Sequence, residues 1–210
     1  MSKSYKQLKH EIKMLTLAKD VALSVVASLR ERVKELEDNT ESKVMAEHEP
    51  PKYKIGKFGQ AGIVFYDKGF YSDDWRYMEV TKSKYEFKAQ WSEGLYDVET
   101  EEKIGSGDRN TKNIRNSLYE VEINKAAQLC YNLKIDYYND WFLPSKDELN
   151  LIYKNLHKKG IGDFKDACYW SSSQYYNNVN NAWLQNFNNG NQNYSYSKAN
   201  TTRVRAVRAF

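Results

Sequence analysis

Histidine, cysteine and proline are scarce in this 210-residue chain, at three, two and three residues, and each shortage argues against a class of function. His10, His48 and His157 stand at metal-ligand spacing neither to one another nor to a cysteine or carboxylate, so no metal and no histidine-based catalytic centre is expected. Cys130 and Cys168 cannot build a disulfide framework. Their settings, Gln-Leu-Cys130-Tyr and Ala-Cys168-Tyr-Trp, are those of buried small hydrophobes. Long apolar runs are missing as well. The most apolar early stretch, residues 21–29, follows Lys19 and Asp20, so neither a signal peptide nor membrane insertion is expected. The expectation is cytoplasmic synthesis of a soluble protein, with assembly into a virion, such as a phage tail, left open. A strong excess of one charge is also absent. With 32 basic and 28 acidic residues and a net charge of +4, the chain lacks the cationic surplus that many phosphate contacts require, and nucleic acid is not expected as a partner. The length suits one cored domain plus an appendage.

Neither proline nor glycine occurs before Pro50. Leu8, Ile12, Leu15, Lys19, Ala22, Val26, Leu29, Val33 and Leu36 alternate spacings of four and three, the seam of a coiled coil. The pattern predicts one helix over residues 5–37, roughly 50 Å long at 1.5 Å per residue. Ile and Val at a positions with Leu at d, and Lys19 at an a position, favour a two-stranded homo-oligomer without excluding a trimer. A lone amphipathic helix packed on the following domain is the alternative. Residues 39–51 are polar, aperiodic and end in two prolines, so they read as a linker, and the globular domain should occupy residues 52–210.

Within that domain, Gly62-Ile-Val-Phe-Tyr66 predicts a buried strand, and residues 124–133 place Ala126, Ala127, Cys130 and Leu133 at helical spacing. Ser145-Lys-Asp-Glu148 is a capping box that opens a helix with Leu149, Ile152, Tyr153 and Leu156 on one face, stopping by Gly160. Short strands are expected over residues 168–172, 182–187, 194–197 and 204–210, with Asn189-Gly190 as a hairpin turn. The fold class is α+β.

A catalytic site needs convergent groups, and the sequence offers none. Ile104-Gly-Ser-Gly107-Asp108 lacks the rest of a phosphate-loop pattern and reads as a plain turn. Asp73, Asp74, Glu99, Glu101 and Glu102 lie in charged segments typical of solvated loops. No enzymatic activity and no cofactor are expected.

Aromatic residues reach 14%, 17 of them tyrosine. Many of these tyrosines interleave with asparagine between Tyr175 and Thr202. Trp170, Trp183 and Phe187 stand among the asparagines, and Val204-Arg-Ala-Val-Arg-Ala-Phe210 closes the chain, so the segment reads as ordered strands and loops rather than a disordered tail. Outward Asn, Tyr and Ser supply amides and hydroxyls for hydrogen bonding and rings for stacking, the chemistry of adaptable recognition surfaces. The candidate ligand contacts are Tyr175, Asn177, Asn178, Asn180, Asn181, Leu184, Asn186, Asn188, Asn191, Asn193, Tyr194 and Tyr196. Merely polar loops are the competing explanation.

Ile55-Gly-Lys-Phe-Gly-Gln-Ala-Gly-Ile-Val-Phe-Tyr66, Ile104-Gly-Ser-Gly107, Asp140-Trp-Phe-Leu-Pro-Ser-Lys-Asp-Glu-Leu-Asn150, Tyr169-Trp-Ser-Ser-Ser173, Ala182-Trp183, Gln185-Asn186-Phe187 and the Val204–Phe210 ending resemble the C-terminal domain of the Legionella collagen-like adhesin. The resemblance spans residues 53–210 and leaves the N-terminal helix outside. It implies a C-type-lectin-like fold, related to the formylglycine-generating enzymes, with its N- and C-terminal strands paired. It also implies binding to a protein or glycan on a target surface. Nothing places Cys130 and Cys168 at the cysteine pair of the oxidase relatives, so that activity is not carried over. Some proteins of this group are variable products of diversity-generating retroelements, in which randomised template adenines turn Asn codons into Tyr, Ser, Leu, Val, Thr or Ala. On that expectation Val179, Leu184, Tyr194 and Tyr196 are altered Asn codons, and Trp170, Trp183, Phe187 and Gly190 are scaffold. The alternatives are a structural virion or scaffold protein with a lectin-like cap, and an oxidase related to the formylglycine-generating enzymes.

Overall fold

The computed structural model describes residues 5–48, 52–93, 97–118 and 122–210; for residues 37–48 and Ser195 it describes the backbone alone. The chain divides into an N-terminal helical unit and a head that begins past residue 50.

The helical unit is one helix, α1 (Tyr5–His48). It runs past residue 37 into the stretch expected to be a linker, so residues 39–48 are helical and only 49–51 of that linker lie outside the described residues. Met45-Ala-Glu supplies good helix formers there, and nothing forbids continuation until Pro50, whose ring disfavours helical geometry in the residue before it. Leu8, Ile12, Leu15, Val26, Leu29, Val33 and Leu36 are all exposed, as are Met14, Leu17, Val21, Leu23 and Val25 off the seam. Among the described residues, no helix is long and apolar enough to cross a membrane.

The head is mixed α+β. A three-stranded antiparallel sheet takes β1 (Ile63–Ser72), β2 (Trp75–Val80) and β8 (Val207–Ala209) in the order β1-β2-β8. A five-stranded sheet takes β3 (Phe87–Ala89), β4 (Cys168–Gln174), β5 (Asn181–Asn186), β6 (Gln192–Ser197) and β7 (Thr202–Val204) in the order β3-β7-β4-β5-β6. Among the described residues, three α-helices accompany them: α2 (Gly107–Ser117), α3 (Ala126–Tyr131) and α4 (Lys146–Asn155). The expected Ser145 capping box is present: Glu148 N donates to Ser145 Oγ at 3.3 Å, and Ser145 N donates to Glu148 Oε2 at 2.7 Å.

The larger sheet separates two apolar clusters, because alternate side chains of a strand point to opposite faces. Trp170, Ala182, Leu184 and Val204 share one cluster with Ile114 of α2 and with Ala126, Ala127 and Cys130 of α3. Tyr169 and Phe187 share the other with Leu149 and Ile152 of α4 and with Phe65, Met78, Val80 and Val207 of the smaller sheet. β4 lies between β7 and β5, which is why all its residues but Cys168 are buried.

The closing Val204-Arg-Ala-Val-Arg-Ala-Phe210 run, expected as one strand, divides at Arg205-Ala206 between the two sheets. Its arginines hold the join. Arg205 Nε donates to Thr81 O at 3.1 Å and its Nη1 to Gly162 O at 3.2 Å. Arg208 Nη1 donates to the buried Glu79 at 3.0 Å, and Arg208 Nε to Asp140 at 2.8 Å. Glu79 also accepts the amides of Gln60, Ala61 and Gly62, so the Gly59-Gln-Ala-Gly62 turn wraps a carboxylate. The terminal strand β8 pairs with β2, the second strand of the N-terminal hairpin.

Candidate ligand-binding surface

Residues 167–197 contain no Asp, Glu, Lys, Arg or His, in a chain that is 29% charged. They form β4, β5, β6 and the two turns between them, and β6 is an edge of the sheet. The turn of residues 175–180 is closed by Asn178 N donating to Tyr175 O at 3.2 Å and Tyr175 N donating to Asn181 O at 3.0 Å. The hairpin between β5 and β6 turns at Gly190 as expected, with φ +80°; a Cβ there would also run into the Tyr153 ring, so both conformation and space call for glycine.

Three asparagine side chains stiffen these turns. The Oδ1 atoms of Asn178, Asn186 and Asn189 accept the amides of Asn180, Asn188 and Asn191 at 3.0, 2.9 and 2.9 Å. Each is an Asx turn, in which the side chain stands in for a backbone carbonyl. Asn178 and Asn186, expected as ligand contacts, therefore already give one acceptor to their own loops.

An aromatic cluster occupies the α4-facing side of the ribbon. The rings of Tyr175 and Tyr194 stack, with centroids 4.3 Å apart and planes at 23°. Trp183 stands edge-on to both, at 5.7 Å from Tyr175 and 5.3 Å from Tyr194. Tyr176, 78% exposed, adjoins Tyr175. Lys146 Nζ sits 3.7 Å from the Trp183 ring centroid and 2.6 Å from Glu102 Oε2, so the nearest cation is already paired. Trp183 Nε1 and Gln185 Oε1 are buried without a hydrogen-bond partner among the described residues.

The strand phase corrects one expected contact. Leu184, expected at the ligand surface, is 2% exposed and packs beside Trp170 and Ala182, whereas Trp183, expected as scaffold alone, belongs to the partly exposed aromatic cluster. In a strand a shift of one residue exchanges the two faces, and the low-complexity run Asn-Asn-Ala-Trp-Leu-Gln-Asn gives no alternation from which to read the phase. A register irregularity opposite residues 182–184 also parts Tyr194 from Tyr196. Tyr194 joins the Trp183 cluster, while Tyr196 lies edge-on to Trp170 at 5.8 Å on the opposite face. Asn177, Asn180, Asn188, Asn191 and Asn193 are exposed in the turns and β6, and Asn181 is half-buried at the start of β5. Trp170 and Phe187, expected as anchors, are buried.

Several groups elsewhere that invite a chemical reading are engaged by neighbouring elements of the head. The Ile104-Gly-Ser-Gly107 loop, expected as a turn, leads into α2, and its Gly105 and Gly107 amides donate to Glu148 at 2.8 and 3.3 Å. Burial pushes this carboxyl up to about 7. A Cβ on Gly107 would collide with Glu148 and Phe142, so the glycine makes room for a carboxylate of the same chain rather than for a phosphate. Burial also raises the Cys130 thiol well above its ordinary range, which disfavours the thiolate that a nucleophile or oxidase would need. His157 contacts Phe187 and lies 3.2 Å from Asp166. Among the described residues, no three His, Cys, Asp or Glu side chains are grouped to hold a metal ion. A cleft of about 700 Å³ lies apart from the charge-free ribbon, lined by Trp75, Tyr131, Trp141, Phe142, Asp108 and Lys112 among others.

The family model of the Lcl C-terminal domain matches residues 80–208, from the end of β2 to β8. Among solved structures, a fimbrial protein from Bacteroides ovatus ATCC 8483 is similar at 16% identity and a TM-score of 0.44, covering 64% of this chain and 36% of that one. This chain thus corresponds to little more than a third of that protein, and a likeness at this level carries no argument about function. No curated protein matches.

Proposed function

Since the chain belongs to the Lcl C-terminal domain family, we propose that it is a non-catalytic, adhesin-like protein that binds a ligand on a target surface through the charge-free ribbon of β4, β5 and β6. The observation that carries this reading is the cluster of Tyr175, Trp183 and Tyr194, set between two asparagine turns on an edge of the sheet. An uncharged aromatic edge left open is a liability for a protein that does not use it, since edge strands are usually blunted by charge, proline or cover. Here the exposed positions carry side chains suited to adaptable contact. The ligand meets Tyr175, Tyr176, Trp183 and Tyr194 together with the asparagines of the two turns, and Leu184 is excluded from the set.

The head is read as a C-type-lectin-like domain, and α1 as a coiled coil that clusters several heads, so that weak single contacts gain avidity. The apolar seam from Leu8 to Leu36 supports that role. The Asn-rich turns also fit diversification by a retroelement, with Val179, Tyr194 and Tyr196 as altered Asn codons. A near-repeat of the gene's 3′ end beside a reverse transcriptase gene is the expected genomic sign, and its absence removes this part of the proposal.

Binding of the labelled full-length protein to candidate cell surfaces tests the main reading. A Tyr176→Ala, Asn177→Ala, Asn188→Ala, Tyr194→Ala variant is expected to lose binding and keep its cooperative melt. Binding that persists, or a variant that no longer folds, overturns the assignment. Sedimentation of the intact chain tests the helix: Leu15→Asp with Leu29→Asp is expected to reduce an oligomer to a monomer.

A further inference from the structure

At the chain's overall 29% charge, a stretch of 31 residues would hold about nine charged side chains, yet residues 167–197 hold none. For β4, a central buried strand, this needs no explanation. The exposed turns and β6 are different, because solvated loops and edge strands are where charged side chains ordinarily collect. The pair that borders the aromatic cluster, Lys146 and Glu102, cancels its own charge at 2.6 Å. Lys198, the first charged residue after the run, is buried, with its ammonium 2.5 Å from Gln174 Oε1 and 4.1 Å from the Trp91 ring centroid. The ribbon thus offers hydrogen-bonding groups and ring faces without a free countercharge.

We propose, building on the ligand-binding reading above, that the ligand is an uncharged, hydroxyl-rich polymer: a neutral polysaccharide whose sugar rings lie on Tyr176 and Tyr194 and whose hydroxyls bond to the turn asparagines. A sulfated or uronic-acid chain would need cations that this surface does not provide. A protein partner ordinarily brings charged side chains of its own, and covering them with a neutral face leaves them desolvated and unpaired. Sugar hydroxyls each donate and accept, as do the carboxamides of Asn and the hydroxyl of Tyr, so the two sets complement one another. The C–H faces of a pyranose ring are apolar and match an aromatic ring in size. The Asx turns at Asn178, Asn186 and Asn189 hold the loops in place before the ligand arrives, which lowers the ordering cost of binding.

The test is affinity electrophoresis of the full chain through gels containing dextran, mannan, galactan or arabinoxylan, with heparin and polygalacturonate as anionic probes. At least one neutral polysaccharide is expected to retard the protein, with a Kd that changes less than about twofold between roughly 50 and 500 mM NaCl, since no counterions are released. Tyr194→Ala and Tyr176→Ala should each weaken retardation at least tenfold with an unchanged thermal midpoint, a loss of about 1.4 kcal/mol or more. Should Tyr194→Ala fail to fold, Tyr194→Phe keeps the stack and is expected to lose only the contribution of the hydroxyl. No retardation by any neutral polysaccharide overturns the inference, as does retention by the anionic probes alone with steep loss in salt. Cell-surface binding that survives periodate but not protease, and still depends on Tyr194, overturns the neutral-glycan inference while leaving the ligand-binding reading intact. Binding indifferent to both tyrosine substitutions overturns both.

Discussion

Residues 167–197 have no charged side chain and supply an exposed edge of the head; residues 198–210 carry Lys198, Arg203, Arg205 and Arg208, three of them buried. The usual placement of charge is inverted between the two neighbouring segments. In the second, cations work as internal clamps: Arg205 on the Thr81 and Gly162 carbonyls, Arg208 on Glu79 and Asp140, and Arg203 on Glu86 at 2.5 Å. In the first, neutral amides and phenols face outward. Strong, directional interactions thus stand where one geometry has to be fixed, and weak, adaptable ones on the exposed edge that is proposed to meet a ligand.

Removing a clamp is the severest way to break this contrast. Arg208→Met leaves Glu79 buried beside three amides without its cation, and denaturant unfolding should show a loss of about 3–5 kcal/mol. A smaller variant effect would mean that the amides alone satisfy Glu79. Next, Leu184→Ala, one position from Trp183 but on the core face, is expected to cost about 2–5 kcal/mol while leaving ligand affinity unchanged in the folded fraction. Loss of affinity without loss of stability would return Leu184 to the contact surface.

Lys198 sharpens the comparison through pH. Burial lowers it from 10.5 to about 7, with Asp97 opposing the shift. Between those values the unfolded chain binds the proton that the folded chain has released, so this group makes stability rise as pH goes from about 7 to 10.5. Lys198→Met should lack that rise, and its stability advantage over the parent should be largest at or below pH 7 and shrink toward pH 10.5. Parallel curves for the two proteins would show that the ammonium is not desolvated. The smallest effect is expected at Asn188→Ala, exposed in the β5–β6 turn, which should change stability by no more than about 0.5 kcal/mol.

Several local elements were legible in the sequence because their signals are local. The Ser145 capping box, the Asn189-Gly190 turn and the helix around Ala126 and Cys130 each depend on residues within a few positions of one another. The α2 helix was missed: Gly105 and Gly107 look like turn residues, and the Glu148 carboxylate that organises their amides lies some forty residues away in the chain. β2 was missed because Trp75-Arg-Tyr-Met-Glu-Val80 buries Arg76 and Glu79, so the strand does not read as a half-polar face. The exposed asparagine- and tyrosine-rich edge was legible in composition and location. Its facing was not, because a two-residue period in an asparagine-rich strand can be set one step either way, and the register irregularity opposite residues 182–184 adds a further step between Tyr194 and Tyr196.

By itself the sequence determined that a long N-terminal helix precedes an α+β head, and that asparagine and tyrosine gather near the C-terminus. Those properties follow from backbone propensity and composition, which each segment carries with it. Tertiary structure decided which tyrosines share a face with Trp183, that Leu184 belongs to the core, and that the closing arginines are internal. These depend on strand pairing across the sheet and on carboxylates distant in sequence. Burial makes such pairings selective: a register one residue off would take Leu184 out of the cluster it shares with Trp170 and Ala182 and put the larger Trp183 in its place.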